Sequence, residues 1–511
     1  MRTKNSITNI IVSLLYRIIT IVSGFVISKI LLSSYGSEIN GYISSSKTIL
    51  GYLSLLELGL SGASIYSLYP CLATKNDKQT SIILSQTRRM YIRTGLFFLV
   101  ALVLVSFTYP FVVKGTLDYY LEVILFFVLA GATIIDFFGF SKYRVLFTAD
   151  QSEYILNICN IVYAVVHLSL VVLTDILHLN VIIMQCTAII AFFVRSVLLY
   201  IFYKRKYKNR FSFRVHEKTN HIKQRWDVLI HEISWLVLSS LPLIIISTRF
   251  SLFESSVYSV YFLVIGNLQN ILSIVYQSII ASFGQLYSLK KYDRFLSVYN
   301  KFEVAYMFLS SFVFAIGMAL TIPFVKIYTK GVNDYNYVNL ILLISMVIRN
   351  FANTARIPTS VIVGSTGGFR KTRIYAIISI IGSIIISFAL SFVSIEVMLL
   401  GTTAFFIFRY FTNMVYVKKI LDNFSVKHSL QVFFSSLIIM LVIGLLGYIM
   451  LGKQDNYSLL SLIKNGVVMT MCSIPIYIIV VNFLDKSLAK EAHSKLIAFF
   501  ARKPSIHDKQ Q

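Results

Sequence analysis

Acidic side chains are scarce. Only 22 Asp and Glu stand against 47 Lys and Arg, and charged residues of both signs make up 14% of the 511 residues while 57% are hydrophobic. A chain so poor in charge and rich in apolar surface cannot hide that surface in a water-soluble core, so soluble classes are excluded. Cysteine is nearly as sparse. Cys71, Cys159, Cys186 and Cys472 are scattered with no C-x-x-C pair, against both a disulfide framework and a zinc site. Catalytic motifs are missing as well. There is no G-x-x-x-x-G-K-[ST], and the nearest glycine-rich stretch, GSTGGFRKT at 364–372, has the wrong spacing. Neither H-E-x-x-H nor G-x-S-x-G occurs, and no sizeable outer loop offers a carboxylate pair, so no catalytic residue, metal ligand or resident cofactor is expected.

What the chain does contain is long apolar runs. Read as spans of about 20 residues, they number fourteen, the first (Ile7 to Leu32) being too long for a cleaved signal peptide. The expected fold class is therefore an all-α polytopic membrane protein. Net charge of +25 follows this layout: 34 of the 47 basic residues fall in the termini and every second loop, and only Lys114, Arg249, Lys326, Lys330 and Lys453 in the loops between. By the positive-inside rule both termini are cytoplasmic, which requires an even number of spans. Basicity then reports topology, and nucleic acid is not an expected partner.

The most basic segment, KRKYKNRFSFRVHEKTNHIKQR at 204–225, follows the sixth span. It divides the chain into a six-helix half at 1–203, a basic cytoplasmic linker at 204–226, a second six-helix half at 227–417, two added spans at 418–484 and a cytoplasmic tail at 485–511. Three motifs recur across the division at nearly one offset: E-x-x-x-Y at Glu38 and Glu254, T-x-P-F-V at Thr108 and Thr321, and the basic span ends at Lys204 and Lys418. Concordant offsets indicate duplication. A six-span unit is even, so the two copies enter the membrane with the same orientation, related by an axis along its normal, with a substrate path along that axis.

Eight basic residues fall inside predicted spans: Arg17, Lys29, Lys47, Arg195, Arg349, Arg356, Arg409 and Lys464. A charge at mid-membrane costs about 2.5–3.5 kcal/mol on insertion scales, so it turns toward a partner or a wet cavity. Lys29, Arg195, Arg409 and Lys464 are readable as snorkelling or structural. Arg17, Lys47, Arg349 and Arg356 are harder to dismiss. Arg349, Asn353 and Arg356 share one helix face, as do Ser44, Lys47, Gly51 and Ser54, and span eight repeats the pattern with Asn270, Ser273 and Gln277. Span five carries Asn157, Asn160 and His167. Guanidinium forks suit phosphate or pyrophosphate, and amides suit sugar hydroxyls. Arg17, Lys47, Arg349, Arg356, Asn353, Asn270 and Gln277 are thus the expected head-group site. Glu57 and Asp136 are the plausible mid-membrane carboxylates, for ion coupling or for structural ion pairs.

R-x-K-N-S-x-x-N at Arg2 to Asn9, Y-G-x-E-x-x-G at Tyr35 to Gly41 and E-L-G-L at Glu57 to Leu60, in that order on a duplicated fourteen-span layout, resemble the oligosaccharide flippases of the multidrug/oligosaccharidyl-lipid/polysaccharide exporter superfamily, of the type encoded with O-antigen and capsule genes. The resemblance implies two six-helix lobes alternating between inward-open and outward-open states. It implies transfer of an undecaprenyl-pyrophosphate-linked oligosaccharide across the bacterial cytoplasmic membrane, driven by a proton or sodium ion, among membrane lipids and beside a polysaccharide polymerase and chain-length machinery. The alternatives are a drug or metabolite antiporter on the same fold and, from another class, a membrane glycosyltransferase or polymerase.

Overall fold

The structure is a computed structural model that describes residues 2–208, 210–215, 226–290, 292–451 and 458–484. The linker beyond residue 215 and the tail from residue 485 lie outside the described residues, as do the side chains of Gln277 and of Leu58, Gly59 and Leu60 in the E-L-G-L motif. No β-strand occurs among the described residues. The elements are α1 (Arg2–Leu53), α2 (Leu55–Ala73), α3 (Asp77–Val112), α4 (Tyr119–Ile135), a π-helical turn (Asp136–Phe140), α5 (Ser141–Ala149), α6 (Glu153–Ile176), α7 (Val181–Tyr207), α8 (Trp226–Arg249), α9 (Leu252–Ser288), α10 (Tyr292–Tyr328), α11 (Leu340–Ala355), α12 (Ile357–Ser365), α13 (Phe369–Leu390), α14 (Ile395–Ile420), α15 (Val426–Leu451) and α16 (Leu459–Leu484).

Among the described residues, thirteen stretches are helical, long and apolar enough to cross a membrane. The first of them, Ile11–Leu53, is bent at Gly36, whose φ of 86° is a left-handed value open to glycine. The chain reverses there. Before the bend, Ser13 accepts from Asn157 near the start of α6 and Ser34 donates to Asp175 near its end, so the two helices run parallel. After it, Ser45 meets Tyr109 near the end of α3 whereas Glu57 meets Tyr91 nearer its start, an antiparallel course. Counting the two arms separately gives fourteen crossings, as the sequence predicts. The membrane-facing character is visible on α3, where Leu96, Phe97, Val100, Leu104, Phe107 and Phe111 are all exposed.

Packing divides the chain into two compact units, Met1–Val260 with Thr329–Tyr337 and Tyr261–Tyr328 with Val338–Gln511. In the first, the arms of α1 pack on α4, α6 and α8, and α2 lies on α3 and α5. Its core holds Tyr91, Phe98, Phe126, Phe137 and Phe147. In the second, α10 is central, packed by α11, α15 and α16, and α14 lies against α11, α12 and α13.

The Y-G-x-E-x-x-G stretch ties the loops at one end of the first unit. The Tyr35 hydroxyl donates to the Leu179 carbonyl at 2.6 Å. The Ser37 N–H and hydroxyl donate to the Asp334 carboxylate at 2.7 and 2.6 Å, and Glu38 accepts from the Thr116 hydroxyl at 2.8 Å. Gly41 lies so close to the Leu252 carbonyl that any Cβ would overlap it. Tyr337 shares hydrogen bonds with Ser37 and Ser256. Burial, reinforced by Asp334 and Tyr335, pushes its phenol up to about 12 against the easing effect of the two serines. It therefore stays protonated.

Candidate functional site

Four opposite charges meet inside the first unit. Glu57, three residues into α2, pairs with Arg144 of α5, and the same guanidinium lies 3.1 Å from Asp136. Asp136 also faces Arg195 of α7 at 3.9 Å. Neutral groups complete the set: Tyr91 donates to Glu57 at 3.3 Å, Ser141 donates to Asp136 at 3.1 Å, and the Arg195 Nε–H donates to Asn160 at 2.7 Å. Arg195 also lies over the Phe192 ring at 4.8 Å. The quartet carries two positive and two negative charges, the arrangement that lets ionised groups persist away from water.

Local backbone explains how Arg144 reaches the group. Arg144 is one of the 34 basic residues that the sequence assigns to termini and loops; the structure places it on a helix. Asp136 opens the π-helical turn, and Ser141 binds back to both the carbonyl and the carboxylate of Asp136, so the chain resumes as α5 and continues to Ala149. π-turns are frequent at functional positions. The spacing of Asp136 and Arg144, eight residues or about two helical turns, was the available signal. Arg195, readable from the sequence as snorkelling or structural, is 8% exposed and belongs to the interior.

The remaining first-unit candidates stand apart from this network. Arg17 is half-buried on the first arm of α1, and Lys47 is exposed on the second. Neither enters a described hydrogen bond or ion pair. Lys47 is exposed and lies within electrostatic reach of His167. His167 stacks on Tyr163 at 5.6 Å. A Cβ built on Gly51, one turn beyond Lys47, meets nothing within 4 Å. The Lys47, Gly51 stripe therefore fronts open space.

In the second unit, α11, α12 and α14 run parallel with matched polar stripes. The Arg349 Nε–H donates to Thr402 at 2.9 Å and Asn413 donates to Ser360 at 3.1 Å, both pairs 53 residues apart. Between them, Arg349 and Arg356 lie 5.5 and 5.9 Å from the Phe406 ring, and the Arg356 Nε–H donates to Asn353 at 3.0 Å. Arg349, Asn353, Arg356 and Ser360 thus interlock with Thr402, Phe406, Arg409 and Asn413, each set at spacings of four, three and four. Arg349 is 1% and Asn353 2% exposed, so both are enclosed, whereas Arg356 at the α11–α12 break is half-buried. Pro358 accounts for the break, since it supplies no N–H to the Thr354 carbonyl one turn earlier, and the Arg356 carbonyl accepts from the Ser360 N–H and from the Thr359 and Ser360 hydroxyls. Sequence reasoning put Arg349 and Asn353 in a lining stripe and missed the partner stripe on α14, including Arg409. Asn270 is exposed on α9. Among the described residues no group of three or more His, Cys, Asp or Glu gathers as metal ligands.

No known family model matches the sequence, and no curated protein is similar to it in sequence. Solved structures are similar in fold. A structure described as lipid II flippase MurJ in an inward-closed conformation aligns with a TM-score of 0.61 at 14% identity, covering 92% of this chain and 98% of its own. An inward-facing multidrug-resistance MATE family transporter of the MOP superfamily aligns at 0.58 and 10% identity, covering 78% and 93%. A Vibrio cholerae MATE transporter aligns at 0.51 and 10%, covering 83% and 99%. The chain has the multi-pass fold of these transporters.

Proposed function

We propose that the protein is a flippase for undecaprenyl-pyrophosphate-linked oligosaccharide, working by alternating access in the bacterial cytoplasmic membrane with both termini cytoplasmic, in the assembly of a surface polysaccharide. The observation that carries the reading is the pair of cations on the arms of α1. Lys47 and Arg17 sit on apolar spans, outside any described ion pair, with Lys47 beside open space. A cation kept at that depth without a carboxylate suits an anionic cargo, and pyrophosphate matches it. The likeness in fold to a protein described as a lipid II flippase supports a lipid-linked cargo. Arg356 and Asn270 are the second unit's contributors, with Gln277 two turns beyond Asn270 on α9.

Glu57 and Asp136 are the coupling groups in this reading. A proton or sodium ion that binds there must displace Arg144 or Arg195, and the freed guanidinium is the signal that rearranges the π-turn. Cations at Arg17 and Lys47 with no described carboxylate partner argue against export of cationic drugs.

The test is complementation. In a host lacking its own flippase for the polysaccharide, the wild-type chain restores export, and Arg17→Ala with Lys47→Ala abolishes it while inserting normally, with lipid-linked repeat units accumulating on the inner leaflet. Export at the wild-type level by the double variant overturns the reading.

A further inference from the structure

The linker is not a free tether over its first part. Arg210 pairs with Asp77 at 2.5 Å. The Ser212 N–H donates to Ser81 at 3.1 Å and the Val215 N–H to Ser85 at 2.9 Å, two serines one turn apart on α3. The Tyr203 hydroxyl donates to the Phe211 carbonyl at 3.0 Å, and Arg88 reaches the Phe213 carbonyl at 3.5 Å. Residues 210–215 are therefore laid along α3 in a fixed register. Phe211 and Phe213 enter an aromatic cluster with Tyr143, Tyr203 and Tyr207.

This docking assembles charge. Lys142 is held 5.0 Å from the Tyr143 ring centre and 5.2 Å from that of Phe213, and both Arg88 and Arg214 lie close enough to repel it. Neighbouring basic residues are neutralised, Arg210 by Asp77 and Lys206 by Asp150. Arg88, Lys142 and Arg214 enter none of the ion pairs among the described residues, and the Arg88 Nε is enclosed with no hydrogen-bond partner. Three crowded like charges repel one another unless an anion sits among them.

We propose that Arg88, Lys142 and Arg214 form a binding site for a phosphate group, supplied by the head group of an anionic membrane lipid. Depth selects the lipid as the source. The exposed apolar ridge of α3 begins at Leu96, eight residues beyond Arg88, so the cations lie about 12 Å outside the start of that ridge at the helical rise per residue. That is head-group depth, with room for acyl chains along the ridge, and basic pockets at such positions hold anionic head groups. Arg88 supplies a guanidinium fork for the phosphate oxygens and Lys142 a point charge braced by two rings. The site is independent of the flippase reading, because none of its residues belongs to the proposed cargo path.

Native mass spectrometry of the full-length protein tests this, with phosphatidylglycerol, phosphatidylcholine or soluble glycerol phosphate added. Wild type is expected to retain phosphatidylglycerol over phosphatidylcholine. Neutralising Arg88→Gln, Lys142→Gln and Arg214→Gln together should weaken retention by about a hundredfold, at about fivefold per charge, while Lys75→Gln, Lys78→Gln and Lys204→Gln, an equal loss of charge on exposed residues, should leave it within about twofold. Circular dichroism checks helix content, and Arg214→Gln alone, at an exposed position, gives the single fivefold step should the triple variant fail to fold. Unchanged retention in the folded triple variant, or an equal loss in the control, overturns the site. Soluble glycerol phosphate binding wild type as tightly as phosphatidylglycerol overturns the lipid as its source.

Discussion

Asp136→Asn and Glu57→Gln each remove one negative charge from the same quartet, but the geometry makes them unequal. Asp136 faces both guanidiniums, at 3.1 Å from Arg144 and 3.9 Å from Arg195, whose side chain is 9% exposed. Its loss leaves Arg195 with only Asn160 and the Phe192 ring. Breaking a buried pair by removing one partner costs about 3–5 kcal/mol, and the long Arg195 contact argues for the lower end, about 3 kcal/mol. Glu57 faces Arg144 alone, whose side chain is 30% exposed and keeps Asp136. Solvent screening then reduces the loss to about 1 kcal/mol. Removing charge from both sides, as Asp136→Asn with Arg195→Gln, should cost about 2 kcal/mol less than the sum of the single changes, because no buried cation is stranded. Unfolding in mixed micelles with increasing dodecyl sulfate compares wild type with Glu57→Gln, Asp136→Asn, Arg195→Gln and the double variant. Trp226 and Trp235, the chain's 2 tryptophans, both lie on α8 in the unit that holds the quartet, so their fluorescence reports that unit. Equal losses for Glu57→Gln and Asp136→Asn, or a double variant no more stable than additivity predicts, would refute the quartet as a charge-balanced unit.

Gly41→Ala should abolish accumulation of folded protein, because its Cβ overlaps the Leu252 carbonyl, whereas Gly51→Ala, with open space at that position, should accumulate normally; detergent-solubilised yield and size-exclusion profiles decide it. Asp334→Ala removes two hydrogen bonds to Ser37 and should destabilise the Gly36 turn by about 1–2 kcal/mol, seen as roughly tenfold faster amide exchange of Ser37 with the rest of α1 unchanged. Glu57→Gln in the export assay should alter the dependence on the proton or sodium gradient while protein level stays near wild type, and an unchanged gradient dependence removes Glu57 from coupling.

The spans were legible because hydrocarbon imposes one requirement on every turn of helix, so an apolar run reads directly as a crossing. Gly36 was legible as part of a motif but not as a reversal. The run from Ile11 to Leu53 is helical on both sides of it, and only the positive φ and the partners of Ser13 and Ser45 show that the chain turns back. Charges inside spans were visible one by one, but their pairing was not. Arg144 sits beyond the apolar run of its span, and a π-turn shifts helical phase in a way no periodicity anticipates. Arg349 and Asn353 illustrate the converse case. A polar stripe looks the same in sequence whether it fronts a cavity or packs on another polar stripe, and the Thr402, Phe406, Arg409, Asn413 set on α14 mixes an aromatic with polar residues, which conceals its match.

The duplication suggested by recurring motifs gains a further member once burial is known. Arg195 and Arg409 are separated by 214 residues, the separation of the basic span ends Lys204 and Lys418, and each is buried on the last helix of its six-span half. The same offset carries Asp136 onto Asn350 and Lys142 onto Arg356. One half thus keeps a carboxylate where the other has an amide. In the first unit the carboxylate sets Arg195 and Arg144 in a balanced group. In the second, Asn350 is fully buried with its carboxamide oxygen outside any hydrogen bond among the described residues, and Arg356, the counterpart of Lys142, lies over the Phe406 ring near Arg409. The two units thus differ in charge at positions 214 residues apart: the first confines its buried arginines in a neutral set and leaves Arg17 and Lys47 outside it, while the second sets Arg349 and Arg356 over the Phe406 ring with Arg409 near Arg356.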